Sequence, residues 1–67
     1  MATLAKKLGK RISQIRRQRN LTSERLAYEN GISKGYLSDI ENGKRLPSLK
    51  LLEKLTRAFG VSLRDLF

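Results

Sequence analysis

Three times in this 67-residue chain a hydroxyl side chain follows one apolar residue and precedes another by four positions: Leu21-Thr22 before Leu26, Ile32-Ser33 before Leu37, and Val61-Ser62 before Leu66. A Ser or Thr so placed caps a helix start by accepting from a free backbone N–H. The flanking apolar pair then fixes the angle at which the chain enters the helix. Helix starts are therefore expected near residues 22, 33 and 62. At the last of them Asp65 takes the third helical position, as in a capping box. A chain punctuated this way is committed to short helices with tight connections.

The remaining segments fit that plan. From about Thr3 to Arg19, Leu4, Leu8, Ile12 and Ile15 recur at four, four and three, one face of a 3.6-residue period, with Lys6, Lys10 and Arg17 on the other side. Pro47-Ser48 opens a further helix with a broad apolar face of Leu49, Leu51, Leu52, Leu55, Ala58 and Phe59, and Gly60 ends it. Asn42-Gly43 ends the helix that begins at Ser33 in the same way. No strand-like alternation, linker or low-complexity tract interrupts the series. The expected fold is all-α, a compact five-helix bundle forming a single domain over residues 1–67.

Residues 23–42, SERLAYENGISKGYLSDIEN, read as two helices crossing at a tight turn. Such a crossing needs a small residue at the contact and a residue tolerant of positive φ in the turn; Ala27 and Gly31 meet those needs. Leu26, Ile32, Leu37 and Ile40 pin both helices to the rest of the domain. Fifteen Lys/Arg against six Asp/Glu leave a net charge of +9, and the first 23 residues hold seven basic side chains and no acid. Polyanions are the natural partners of such a chain. A helix-turn-helix on a basic domain predicts that the second helix, about residues 33–42, enters the DNA major groove. The rival reading, a basic binder of anionic membrane, needs no compact fold and does not explain the staples and the Gly31 turn.

Other functions find little support. Without His or Cys the usual general base and thiol nucleophile are missing, and the carboxylates lack metal-ligand spacing. No enzyme activity, metal or cofactor is expected. No apolar run approaches a membrane span, and MATLAKKLGKR is not a secretory signal. Absence of cysteine fits a reducing cytoplasm, where the expected location is at the nucleoid.

Residues 15–46, IRRQRNLTSERLAYENGISKGYLSDIENGKRL, resemble the Cro/CI-type (XRE) helix-turn-helix family of phage and bacterial repressors. The resemblance is carried by Ile15-Arg16, Leu21-Thr22, Glu24 to Ala27, Gly31-Ile32-Ser33, Ile40 to Gly43 and Pro47-Ser48. It implies a five-helix, lambda-repressor-like domain that binds an inverted repeat of double-stranded DNA as a homodimer. By spacing and by that resemblance, base contacts are expected from Lys34, Gly35, Tyr36, Ser38 and Asp39. Lys34 donates to guanine or serves a phosphate; Asp39 accepts from cytosine N4 or orients a neighbour; Tyr36 meets a thymine methyl, a phosphate or only the helix edge. Gly35 permits close backbone approach at a cost to the helix. Phosphate contacts are expected from Thr22 and Ser23 at the start of helix two, from Asn42, Lys44 and Arg45 after helix three, and from Arg11 and Arg17 on helix one. The chain departs from the family at Ser23, where glutamine is frequent and braces the first recognition residue. The resemblance also implies a salt bridge between Arg16 and Glu41.

Leu63, Leu66 and Phe67, with part of helix four, are the expected dimer surface, since a small domain has difficulty covering all three. The function expected is that of a transcriptional repressor or autoregulator. The alternative is the DNA-binding member of a partner-regulated pair, an antitoxin or a restriction–modification controller, with a protein partner.

Overall fold

The computed structural model describes residues 3–67; Met1 and Ala2, part of the expected domain, lie outside the described residues. Four α-helices follow one another: α1 Leu4–Gln18, α2 Ser23–Glu29, α3 Lys34–Glu41 and α4 Leu49–Phe59. All four begin alike. The hydroxyl oxygens of Thr3, Thr22, Ser33 and Ser48 accept from the backbone N–H groups of Lys6, Arg25, Tyr36 and Leu51 at 3.0–3.2 Å. Each such cap is worth ~1 kcal/mol.

They also end alike. Asn20, Gly31, Gly43 and Gly60 take left-handed φ values of 56°, 68°, 75° and 71°. The next residue then turns its N–H back to a carbonyl of the last helical turn. Leu21 bonds Arg16, Ile32 bonds Ala27, Lys44 bonds Asp39 and Val61 bonds Thr56, at 2.8–3.1 Å. This is the Schellman closure. At three of these corners the closing residue is Leu21, Ile32 or Val61, which is also the apolar member of the following staple. One side chain thus ends one helix and aims the next, so three or four residues suffice for each connection.

The fifth helix expected at residues 62–66 is not an α-helix; Leu63–Leu66 is a lone 3₁₀ turn. Its bonds run three residues back, Asp65 N–H to Ser62 and Phe67 N–H to Arg64. Arg11 Nε–H also donates to the Asp65 carbonyl at 2.8 Å, drawing the turn onto α1. Cap and staple signals mark a start but do not distinguish an α turn from a 3₁₀ turn, and one turn adds no further bonds to favour the α form. Asp65 reaches back as expected, its carboxylate accepting from the Ser62 N–H at 2.9 Å, but the Ser62 hydroxyl donates to that carboxylate at 3.1 Å while the Asp65 N–H bonds the Ser62 carbonyl.

Leu8, Ile12, Ile15, Leu26, Leu37, Ile40, Leu55 and Leu66 form the innermost core. Fully burying each contributes about 1.5–3 kcal/mol. Two stripes expected to be buried throughout are not: Leu4 remains 56% exposed, Leu49 61%, and Ala58 is exposed as well. Leu4 and Leu49 each stand at the first position of a helix. Gly9 is buried under α3 instead, so close that any Cβ would overlap the Ile40 carbonyl oxygen.

Candidate nucleic-acid interface

α3 is presented by α2 and α1. Ala27 is buried at the α2–α3 crossing and Gly31 makes the left-handed turn, as the sequence predicts. Leu26, Leu37 and Ile40 anchor both helices, and the Asn30 side chain, buried at the corner, donates to the Leu26 carbonyl at 2.8 Å. The outer face of α3 carries Lys34, Gly35 and Ser38 exposed, with Asp39 half-buried. Their spacing of one, three and one residues places them on one side of the helix.

Arg16 fixes α3 from behind. Its Nε lies 2.7 Å and its Nη2 3.1 Å from the two carboxylate oxygens of Glu41, and Nη1 donates to the Leu21 carbonyl at 2.8 Å. The side chains are only 13% and 12% exposed. One guanidinium therefore ties α1, α3 and the first interhelix corner together. Glu41, chiefly by its hydrogen bond, holds the Arg16 guanidinium even further above its ordinary pKa.

Around the exposed face the polar groups are already arranged. Glu24 on α2 approaches Lys34 Nζ to 3.5 Å and accepts from the Ser23 hydroxyl at 3.0 Å. Hydrogen bonds from its own backbone N–H and from Ser23, with the Lys34 charge, hold the Glu24 carboxyl below its usual range. Ser23 is too short to brace Lys34; Glu24, one residue on, reaches it. At the other end of α3, Asn42 donates to the Ser38 hydroxyl at 3.2 Å. Arg45 lies 3.8 Å from Asp39 and sits over the Tyr36 ring, 5.8 Å from its centroid. These contacts join Tyr36, Asp39 and Arg45 into one cluster.

Two expected site residues are engaged elsewhere in the fold. Arg11 is bonded to the Asp65 carbonyl, on the side of α1 turned away from Gly9 and α3. Leu66 is 1% exposed and belongs to the core. Phe67 lies beside α1 but remains 67% exposed, and Leu63 is 38% exposed. Arg17 and Lys44 are exposed, and the Thr22 hydroxyl oxygen is occupied as a cap.

Sequence reasoning passed over Glu24 as a partner of Lys34, Asn20 as the left-handed end of α1, and Gly9 as the seat of α3. An Asn directly before a staple and a Gly inside a helical stripe are signals for the second and third. Nothing local announces the first.

Residues 12–66 match the helix-turn-helix family HTH_3. This chain belongs to that helix-turn-helix family. The matched span includes residues 15–46, so the Cro/CI-type resemblance is borne out. Over 59 residues, 87% of this chain and 73% of the other, it is 42% identical to the control protein C.BamHI of Bacillus amyloliquefaciens. It is 39% identical to the HTH-type transcriptional regulator PuuR of Escherichia coli, of which it spans 32%. Among solved structures, the restriction-modification controller protein C.AhdI of Aeromonas hydrophila superposes with a TM-score of 0.88 at 33% identity, covering 94% of this chain and 96% of that one. The biofilm regulator SinR, solved in complex with DNA, superposes with a TM-score of 0.79 at 38% identity, covering 88% and 95%.

Proposed function

We propose that this helix-turn-helix chain is a sequence-specific double-stranded-DNA-binding regulator of transcription. It acts without catalysis, in the cytoplasm at the nucleoid, as a repressor or autoregulator. The observation that carries this reading is the outer face of α3, polar, exposed and clamped from behind by the bidentate Arg16–Glu41 pair. Lys34, Gly35, Tyr36, Ser38 and Asp39 face the bases in this reading. Thr22, Ser23, Asn42, Lys44 and Arg45 flank them, and Arg17 extends the basic surface. Asp39, Tyr36 and Arg45 act as a group, with Arg45 turning from Asp39 to a phosphate when DNA binds. Affinity comes largely from phosphate neutralisation and falls with salt.

The chain acts as a homodimer that sets two α3 helices into successive major grooves about 34–36 Å apart. With Leu66 in the core, Leu63 and the exposed part of α4 carry the contact in this proposal. A second reading, a controller of a restriction–modification system, is favoured by likeness to the restriction-modification controller protein C.AhdI, with a TM-score of 0.88 at 33% identity over 94% of this chain. Both readings share the DNA chemistry.

Selection from random duplexes at about 150 mM salt tests the proposal. An enriched inverted repeat with half-sites about 10 base pairs apart supports it. Retention without any enriched sequence refutes independent sequence recognition. Sedimentation giving a monomer on the selected site removes the homodimer.

A further inference from the structure

We propose that a trough between α1 and the 3₁₀ turn is a docking site for an acidic amphipathic helix of a partner protein. The trough measures about 430 Å³ and is open along one side. Its floor is apolar, built from Leu4, Leu66 and Phe67. Leu4 and Phe67 remain 56% and 67% exposed. Lys7, Lys10 and Arg11 rim it. From Leu4 to Gln14 it follows α1 for about three turns, ~15 Å of helix axis. It lies on the side of α1 away from Gly9, the residue that seats α3, so it is separate from the DNA-reading face.

The shape and the charge together select the occupant. An open trough covers only one side of whatever lies in it, which suits a helix apolar on the inner side and polar on the outer. The rim on α1 is positive: LAKKLGKRISQIRRQ contains no acid, and the one carboxylate of the facing 3₁₀ turn, Asp65, is engaged by the Ser62 N–H and hydroxyl. Arg11 is fixed at the rim through its Nε–H to Asp65, which leaves its Nη groups for a carboxylate.

A second copy of this chain does not suit the site. A two-fold contact there would set the basic patch of Lys7, Lys10 and Arg11 on one copy against the same patch on the other. The chain also has few carboxylates to offer. Glu24, Glu29, Asp39 and Glu41 are paired with Lys34, Arg25, Arg45 and Arg16, and Asp65 is bonded to Ser62. Among the described residues this leaves Glu53 alone of the six acids.

The test uses the whole chain, ¹⁵N-labelled, and a synthetic helical peptide with leucines at i, i+3, i+4 and i+7 flanked by glutamates. Saturable amide shifts at Lys7, Arg11, Gln14 and Phe67, with Ser38 unmoved, are expected. Lys7→Glu with Lys10→Glu should weaken the peptide by roughly tenfold or more, as should Phe67→Ser, with each variant's melting curve showing that it is folded. Equal binding by a peptide with serines for leucines, or shifts centred on α3, would overturn the proposal. So would indifference to the charge reversal. Concentration-dependent shifts at the same residues without peptide would assign the trough to a second copy instead. Shifts there with phosphatidylglycerol vesicles but not with the peptide would assign it to a membrane surface.

Discussion

Arg16 on α1 and Glu41 on α3 meet in a bidentate pair, 2.7 and 3.1 Å, across 25 residues of sequence. The pair lies mostly out of water, and Arg16 also holds the Leu21 carbonyl. Its role is to orient α3 against α1. Two buried charges cost nearly as much in desolvation as their attraction returns. Arg16→Ala leaves a shielded carboxylate without a donor and should cost about 1.5–3 kcal/mol. Adding Glu41→Ala should recover part of that loss. A double-mutant cycle by urea unfolding checks it, and a coupling energy near zero refutes it.

Gly9 and Gly35 should respond to alanine in opposite directions. Ala is favoured over Gly in a helix by ~1 kcal/mol. At Gly35 nothing lies where a Cβ would go. Gly35→Ala should therefore raise the melting temperature, and should lower DNA affinity where the α3 backbone approaches the bases. At Gly9 a Cβ would overlap the Ile40 and Glu41 carbonyls, which are backbone and cannot swing aside. Gly9→Ala should lose about 1–3 kcal/mol and displace the end of α3. Equal melting temperatures for the two variants would contradict this account.

Asn20 is the one residue other than glycine with positive φ among the described residues. Asn tolerates that conformation; a β-branched residue does not, at about 1–2 kcal/mol. Asn20→Gly should preserve or raise stability, and Asn20→Val should lower it by about that amount. Thermal unfolding of both variants decides the matter.

Acid should weaken the fold in part through Glu24 and Asp65. Both carboxyls are held below their ordinary values, Glu24 mainly by its backbone N–H and Ser23, Asp65 mainly by the Ser62 N–H and hydroxyl. A folded-state pKa below the unfolded value means that the stabilisation is present above the unfolded pKa of about 4. It is lost as pH falls through the folded pKa. Melting temperature should drop below about pH 4, and Asp65→Asn should flatten the drop. A wild-type-like acid profile for that variant would show that the Asp65 contact with Ser62 contributes nothing.

On duplex DNA, Lys34 and Lys44 should separate by type of contact. Lys34→Ala should relax preference at one base position, a loss of about 1–3 kcal/mol. Lys44→Ala should weaken all sequences alike and reduce the salt slope by ~1. Titrations of matched and mismatched duplexes at several salt concentrations distinguish the two. Glu24→Gln should alter the same base position as Lys34→Ala, because Glu24 holds that lysine.

Helix starts and stops were legible from the sequence alone because their causes are local. Thr22, Ser33 and Ser48 each cap an N–H three residues away, and Gly31, Gly43 and Gly60 each close a turn that spans five. The α3 face that holds Lys34 and Ser38 follows from the same short-range periodicity. What joins the helices was not legible in this way. Arg19 reaches the Phe59 carbonyl 40 residues on, and Arg11 the Asp65 carbonyl 54 on. Whether Leu66 turned inward while Leu4 stayed in water, and whether the last segment coiled as α or 3₁₀, depended on what α1 offered opposite. No spacing rule encodes that, because the partners are neighbours only after the helices have packed. The Gly9 contact shows the same division: the sequence marks a weak point in a helix, and the tertiary structure alone reveals that α3 rests on it.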